Sequence, residues 1–147
     1  MNDTFSALRV HRTDGKNQAK LENLTNDDLP PGNVLVDIHY STINYKDALA
    51  VTGKAPIIRE YPRIAGIDLS GEVLESDDKR FMPGQKVASL NGGLGETRDG
   101  GYAERTRING DKLQPLPNNM CTRTAMELGT AGATAALAIY RMEQNGQ

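Results

Sequence analysis

The sequence predicts a mainly β protein that ends in helical structure. It shows short alternating runs of apolar and polar residues, glycine and proline between these runs, and helical spacing after residue 122. Many short strands separated by Gly and Pro are typical of a β-barrel or a β-sandwich. The chain of 147 residues has the length of one domain and can bury a real core.

The first strands are marked by the turn residues between them. Residues 5–12 lead to Asp14-Gly15, a hairpin-type pair, and residues 19–24 could form the returning strand. After the breaker cluster at residues 29–32, apolar and polar side chains alternate over residues 34–40 and predict a half-buried strand. Residues 67–73 alternate in the same way.

Two further strands and two helices complete the predicted order. Residues 81–87 resemble a turn that feeds a strand, and Asp99-Gly100-Gly101 opens another through Ile108. Residues 123–128 suit a short helix, which the segment of residues 129–132 interrupts. Apolar side chains at positions 133, 136, 137 and 140 then share one helical face.

Composition and charge exclude several function classes. The net charge of −2, with both signs scattered along the chain, leaves no basic stripe for nucleic acid. No apolar run is long enough to cross a bilayer, and the N-terminus lacks the pattern of a signal peptide. One Cys and two His cannot supply a multi-cysteine zinc lobe or a histidine cluster. We therefore expect a cytoplasmic protein with neither nucleic-acid nor membrane partners.

Four segments carry a family resemblance. They are STINYKD at residues 41–47, PRIAGIDLSG at residues 62–71, RFMPGQKV at residues 80–87 and GTAGATA at residues 129–135. In this order and spacing they resemble the acryloyl-CoA reductase and quinone oxidoreductase branch of the zinc-independent medium-chain dehydrogenase/reductases. The NYKD and GTAGxTA patterns are fairly specific to that branch, and the resemblance covers essentially the whole chain.

The resemblance implies the architecture and the domain boundaries. Residues 1–122 would form a GroES-like, partly open β-barrel with short helices, without the C-terminal strands that complete it in the family. Residues 123–147 would form a helical linker toward a Rossmann nucleotide-binding domain that has no counterpart in this sequence. The chain would then be the N-terminal portion of an oxidoreductase.

Residue types at two matching positions argue against zinc. The zinc-dependent relatives carry a Cys where this chain has Asn44 and a His where it has Ile67. Ile67 has no lone pair and Asn44 offers only an amide, so the nitrogen and sulfur ligands that zinc prefers are missing. We predict no metal at this site and a structural hydrogen-bonding role for Asp68.

The resemblance also implies an activity. NADPH would deliver a hydride to the β-carbon of an α,β-unsaturated thioester or ketone, and a proton would then reach the α-carbon. The developing enolate needs donors that are held in place beforehand. The resemblance assigns Tyr45, Asn44 and Thr130 to the cofactor and implies a homo-oligomer for the complete enzyme. The catalytic residue is unknown, with Tyr45 a weak candidate for the proton donor.

Each of these assignments has an alternative. Tyr45 could pack at the barrel rim, Asn44 could cap the helix that begins at Tyr45, and Thr130 could cap the second helix. Asp47 would orient Tyr45 or cap a backbone group. For the whole chain, the alternative is a free-standing GroES-like binding or structural module without catalytic activity. The acceptor stays open among acryloyl-CoA, another enoyl thioester and a quinone.

Overall fold

The computed structural model describes residues 4–147, so the first three positions of the predicted domain over residues 1–122 lie outside the described part. The strands are β1 Phe5–Thr13, β2 Lys16–Leu24, β3 Val34–Tyr40, β4 Arg63–Ile64, β5 Asp68–Ser76, β6 Lys86–Leu90, β7 Arg105–Ile108 and β8 Gln114–Pro115. The helices are α1 Tyr45–Thr52 and α2 Thr122–Gln144, and short 3-10 turns occupy Asn26–Asp28 and Gly110–Lys112. This order confirms the prediction of a mainly β fold that ends in helical structure.

The strands form two antiparallel sheets, in the orders β2-β1-β4 and β7-β3-β5-β6-β8. Neither sheet closes on itself, as expected for a partly open barrel. The β1–β2 hairpin turns at Asp14 (φ 51°) and Gly15 (φ 76°), the left-handed backbone that a two-residue hairpin requires. The returning strand begins at Lys16, earlier than predicted, because pairing continues to the turn, where Thr13 lies opposite Lys16.

The core consists of several apolar clusters. The largest lies on the five-stranded sheet and contains Val34, Val36, Leu69, Val73, Phe81, Val87, Leu94, Ile108 and Leu113. A second cluster joins the two sheets and contains Phe5, Ala7, Leu24, Leu29, Leu35 and Ile64. Because both clusters meet at the start of β3, that strand is buried on both of its faces there.

This packing changes the burial expected for β3. Strict alternation over residues 34–40 would put Leu35 on the outer face, opposite Val34 and Val36, but Leu35 is only 2% exposed because it joins the cluster between the sheets. Tyr40, predicted on the inner face, is 45% exposed. The pairing with β5 shifts between Ile38 and Tyr40, and this irregularity turns the end of the strand outward. The predicted strand is confirmed, but its strict alternation is wrong at these two positions.

Helix α2 is interrupted at Gly129, whose φ of 53° and ψ of −162° are not helical. The predicted break between two helical segments is therefore confirmed. The first segment packs Ala125 and Met126 against Ala88 of β6. The second segment leaves its large apolar side chains 51–64% exposed, at Leu137, Ile139, Tyr140 and Met142. No helix in residues 4–147 is long and apolar enough to cross a membrane.

Close approach of the neighbouring backbone leaves no room for a side chain at Gly71 of β5. A Cβ there would overlap the carbonyl oxygen of Asp37 on the neighbouring strand β3. We expect Gly71→Ala to lower the free energy of unfolding by about 3 kcal/mol, since the backbone itself would have to move. Gly15→Ala is the control, because the Gly15 site has no atom within 4 Å and only a φ of 76° to strain. Its cost should be about 1 kcal/mol. Urea unfolding measures both, and equal losses would contradict the steric explanation.

Candidate functional site

A buried carboxylate stands at the centre of the candidate site. Asp68, at the start of β5, has no exposed surface. Its two oxygens accept hydrogen bonds from Thr42 Oγ1 at 2.8 Å, Asn44 Nδ2 at 3.2 Å and the Asn91 backbone N–H at 3.1 Å. They also accept from the Thr130 N–H at 2.9 Å and from the Thr130 hydroxyl. We call Asp68 and these four donor residues the Asp68 network.

The charge state of Asp68 follows from this network. Burial raises the pKa of its carboxyl group, but the hydrogen bonds from Thr130, Thr42 and Asn91 outweigh that effect. The pKa therefore lies below its ordinary value, and Asp68 is ionised at neutral pH. All the donors named are uncharged, so the negative charge is stabilised by dipoles and not by an ion pair. The structural role predicted for Asp68 agrees with this geometry.

A second buried carboxylate holds the start of α1. Asp47 is 2% exposed, and its oxygens accept the backbone N–H of Asn44 at 2.8 Å and that of Ile67 at 2.9 Å. The first bond caps α1, and the second ties the helix to the segment that leads into β5. Of the two roles predicted for Asp47, the contacts favour the capping of backbone groups.

The structure brings two of the three predicted cofactor residues to one point. Asn44 precedes α1 and donates through its amide nitrogen to Asp68 and to Thr42 Oγ1, the latter at 2.6 Å. Thr130 follows the break in α2 and donates twice to Asp68. Tyr45, the first residue of α1, is 80% exposed, and its hydroxyl has no partner in residues 4–147. It stands free beside the network and is not packed at the rim.

Gly129 explains how Thr130 reaches Asp68. A Cβ at position 129 would lie 2.7 Å from Thr42 Cγ2 and 3.1 Å from Asp68 Oδ2, and its φ is 53°. Glycine alone accepts both the close approach and the left-handed backbone without strain. The first residue of the GTAG segment is therefore required by the geometry of the network.

Tyr102 is a site residue that the sequence interpretation missed. Its hydroxyl donates to the Thr42 carbonyl at 2.9 Å, so it supports the loop that carries Asn44. Burial and the nearby carboxylates of Asp47 and Asp68 raise the pKa of Tyr102. The preceding Gly100-Gly101 pair was a signal, since both glycines pack directly on the backbone of residues 65–68.

An apolar cavity of about 320 Å³ lies beside this loop. Leu8 of β1 and residues of α1, including Asp47, line it together with Ile43 and Tyr102, and Ile43 is 90% exposed. Its walls therefore share two residues with the contacts that hold the start of α1. The lining of the cavity suits an apolar group.

A metal site is not found in the described part of the chain. Residues 4–147 contain no group of three or more His, Cys, Asp or Glu side chains that could hold a metal ion. Asn44 and Ile67 occupy the positions where the sequence comparison expected ligands in zinc-dependent relatives. Independence from zinc stays a prediction, tested below.

The fold described above has a counterpart among known protein families. Residues 30–118 match the family described as "Alcohol dehydrogenase GroES-like domain", and the chain belongs to that family. Within it, this chain is 47% identical over 142 residues to a protein of Escherichia coli (strain K12) named as a probable acrylyl-CoA reductase, AcuI. The alignment covers 97% of this chain and 44% of the relative.

Solved structures give the same relationship. The yhdH oxidoreductase from Salmonella enterica, in complex with NADP, superposes with a TM-score of 0.93 at 48% identity, over 96% of this chain and 44% of that one. The Bacillus subtilis protein yhfP, with NAD bound, gives a TM-score of 0.92 at 44% identity, over 98% of this chain and 44% of that one. The protein yhfP is provisionally named as a quinone oxidoreductase. This chain thus spans less than half the length of these relatives.

The buried charge of Asp68 leads to a stability prediction. Asp68→Asn keeps the shape but turns an NH2 group toward several donors, so we expect a loss of about 2–4 kcal/mol in the free energy of unfolding. Because the folded-state pKa is lowered, this contribution is present above the unfolded-state pKa and is lost as pH falls through the folded-state pKa. The difference between wild type and variant should therefore be constant near neutral pH and shrink below about pH 4.

Urea unfolding across this pH range is the measurement. Asp14→Asn is the matched control, because Asp14 lies exposed in the hairpin turn at a φ of 51° that Asn also tolerates. Its unfolding free energy should change by less than about 0.5 kcal/mol. A variant at position 68 with the wild-type midpoint would show that the network does not depend on the charge.

Proposed function

We propose that this chain forms the GroES-like, substrate-side part of an NADPH-dependent oxidoreductase that reduces the C=C bond of α,β-unsaturated thioesters or ketones. The convergence of Asn44 and Thr130 on Asp68, beside a free Tyr45, supports the proposal most strongly. The acrylyl-CoA name of one relative and the NADP held by another indicate the substrate class and the cofactor.

The residues present fit a nicotinamide. The Thr130 hydroxyl donates its proton to Asp68, and its oxygen keeps lone pairs that can accept from a carboxamide N–H. The exposed ring of Tyr45 offers an aromatic face for packing against a flat ring. The NH2 group of Asn44 is directed at Thr42 and Asp68, so in this proposal Asn44 contributes by fixing the loop that carries Tyr45.

NADPH supplies the hydride when it is bound, and residues of this chain hold the substrate and the cofactor in place. The apolar cavity beside α1 would hold the acyl part of the substrate, with Ile43 at its edge. Among the predicted site residues, the Tyr45 hydroxyl is the donor without an internal partner. This hydroxyl is therefore the weak candidate for a proton donor, and the main role proposed for Tyr45 is packing against the cofactor.

The second segment of α2 is proposed as the connection to a nucleotide-binding domain. Its large apolar side chains are more than half exposed, which is unusual for a helix surface that faces only water. A domain boundary after residue 122, a cytoplasmic location and a homo-oligomeric complete enzyme belong to the same proposal, as does the lack of nucleic-acid and membrane partners. The net charge of −2 favours this last point.

Zinc is not part of the proposed site. A single amide at position 44 and an alkyl side chain at position 67 give zinc no nitrogen or sulfur ligand there. We expect elemental analysis of protein purified without chelators to show well under one zinc per chain. One tightly held equivalent, lost together with the Asp68→Asn substitution, would contradict this prediction.

The reductase proposal is tested with a chimera. Residues 1–147 are joined to the remaining C-terminal part of the Escherichia coli relative, and NADPH consumption is followed with acryloyl-CoA and with a quinone. We expect the chimera to reduce acryloyl-CoA, and the isolated chain to show no turnover. Turnover by the isolated chain at an enzyme-like rate would contradict the division of the site between two domains. A folded chimera without enoyl-thioester reduction would favour the binding-module alternative.

Tyr45 variants of the chimera then separate packing from hydrogen bonding. We expect Tyr45→Phe to leave turnover within about twofold, and Tyr45→Ala to raise the KM for NADPH about tenfold through loss of the aromatic contact. If Tyr45→Phe instead lowers turnover on the order of 10²-fold with unchanged KM, the hydroxyl stabilises transition-state charge. Tyr61→Phe is the matched control, because the Tyr61 hydroxyl bonds Asn17 outside the Asp68 network. It should alter neither quantity.

A further inference from the structure

A second cavity, of about 210 Å³ and with a polar lining, lies outside the Asp68 network. Its charged lining comes from separate segments: Arg63 of β4, Arg98 and Asp99 of the loop after β6, and Arg107 of β7. Pro30 and Pro31 form part of its wall. Three arginines therefore line one recess, together with a single acidic residue.

The carboxylate does not neutralise this recess. Asp99 Oδ1 accepts from Arg63 Nη1 at 3.2 Å and from the backbone N–H of Ile64 at 3.1 Å. Glu60 also contacts Arg63, at 3.4 Å, but its side chain is 81% exposed and does not line the cavity. Both acids thus pair with Arg63, and neither pairs with Arg98 or Arg107.

The three arginines retain donors for a ligand. Arg63 is 8% exposed, and its Nε is buried without a partner in the described residues, so the ion pairs leave its guanidinium incompletely satisfied. Arg98 is held by one bond from Nη1 to the Gly92 carbonyl at 2.9 Å. Arg107 has no ion pair or side-chain hydrogen bond in residues 4–147. Its planar fork can therefore donate two parallel bonds.

This donor set selects a class of ligand. Arginine forks match the spacing of phosphate oxygens and bind them in bidentate fashion. The lining contains no aromatic ring, so a base or a nicotinamide would have no surface on which to stack. We propose that this cavity binds a phosphoryl dianion, either free phosphate or a phosphoryl group of a larger ligand such as coenzyme A. The cavity alone supports the phosphoryl site, and only the choice of coenzyme A as the larger ligand rests on the proposed function.

The test uses the 147-residue chain and inorganic phosphate. Titration at low ionic strength, followed by amide NMR, should show saturable shifts at residues 97–99 and 107–109. Arg107→Gln should weaken binding about tenfold, because a charge-assisted contact is lost. Arg12→Gln is the matched control, since Arg12 lies over the Tyr61 ring, 5.7 Å from its centroid, and lines a different cavity. It should change affinity less than about twofold.

Urea unfolding of Arg107→Gln checks that the variant is folded, and Arg98→Gln gives an independent second loss of affinity. Unsaturable binding by the wild type, or equal weakening by Arg107→Gln and Arg12→Gln, would overturn the proposal. Coenzyme A and its form without the 3′-phosphate identify the source. Tighter binding of coenzyme A that needs this phosphate indicates a larger ligand, and tighter binding of inorganic phosphate indicates the free ion. Both results support a phosphoryl site.

Discussion

A negative charge buried without an ion pair constrains the rest of the structure. An ionised carboxylate removed from water is tolerated only when its lone pairs receive donors. Asp68 obtains them from the loop before α1, the loop after β6 and the break in α2. Each of these hydrogen bonds left unmade would cost on the order of 1–3 kcal/mol of folding free energy. The three segments therefore cannot move independently. Because Asp68 holds the loop that precedes α1, it also fixes the position of Tyr45, the first residue of that helix.

Space imposes the second constraint at the same place. The start of β5 is buried on both faces, and neighbouring backbone presses on it where side chains are absent. Cβ atoms at Gly71 and Gly101 would overlap carbonyl oxygens of Asp37 and Asp68, and one at Gly129 would meet Thr42. Charge and close packing thus act on the same few residues. Substitutions around Asp68 will for this reason disturb the fold and the site together.

Sequence periodicity could predict the strands but not all of their surroundings. Alternation located β3, and the Asp14-Gly15 pair located the hairpin, because both signals are local. Leu35 was placed on the wrong face, since its burial depends on a second sheet that the strand's own pattern does not encode.

The sequence could likewise locate only some of the residues around Asp68. Family motifs pointed to Asn44, Tyr45 and Thr130, and residue chemistry pointed to a structural Asp68. The partners of Asp68 lie 23 to 62 positions away, so no spacing rule links them to it. Tyr102 and the arginine-lined cavity were missed for the same reason, because each depends on segments that only the tertiary fold brings together.

The use of donors inside the network limits what this domain can do chemically. The hydroxyls of Thr42 and Thr130 and the amide of Asn44 already donate to protein atoms, and the Tyr102 hydroxyl donates to a carbonyl. A group that acts as an acid must have a proton to give, and these protons are engaged. What remains is oxygen lone pairs, one exposed aromatic ring with its hydroxyl, and an apolar cavity. Such a set positions reactants well but supplies little proton transfer. It suits the proposed reduction, in which the hydride would come from a bound cofactor and the rate would depend on holding the acceptor at the right place.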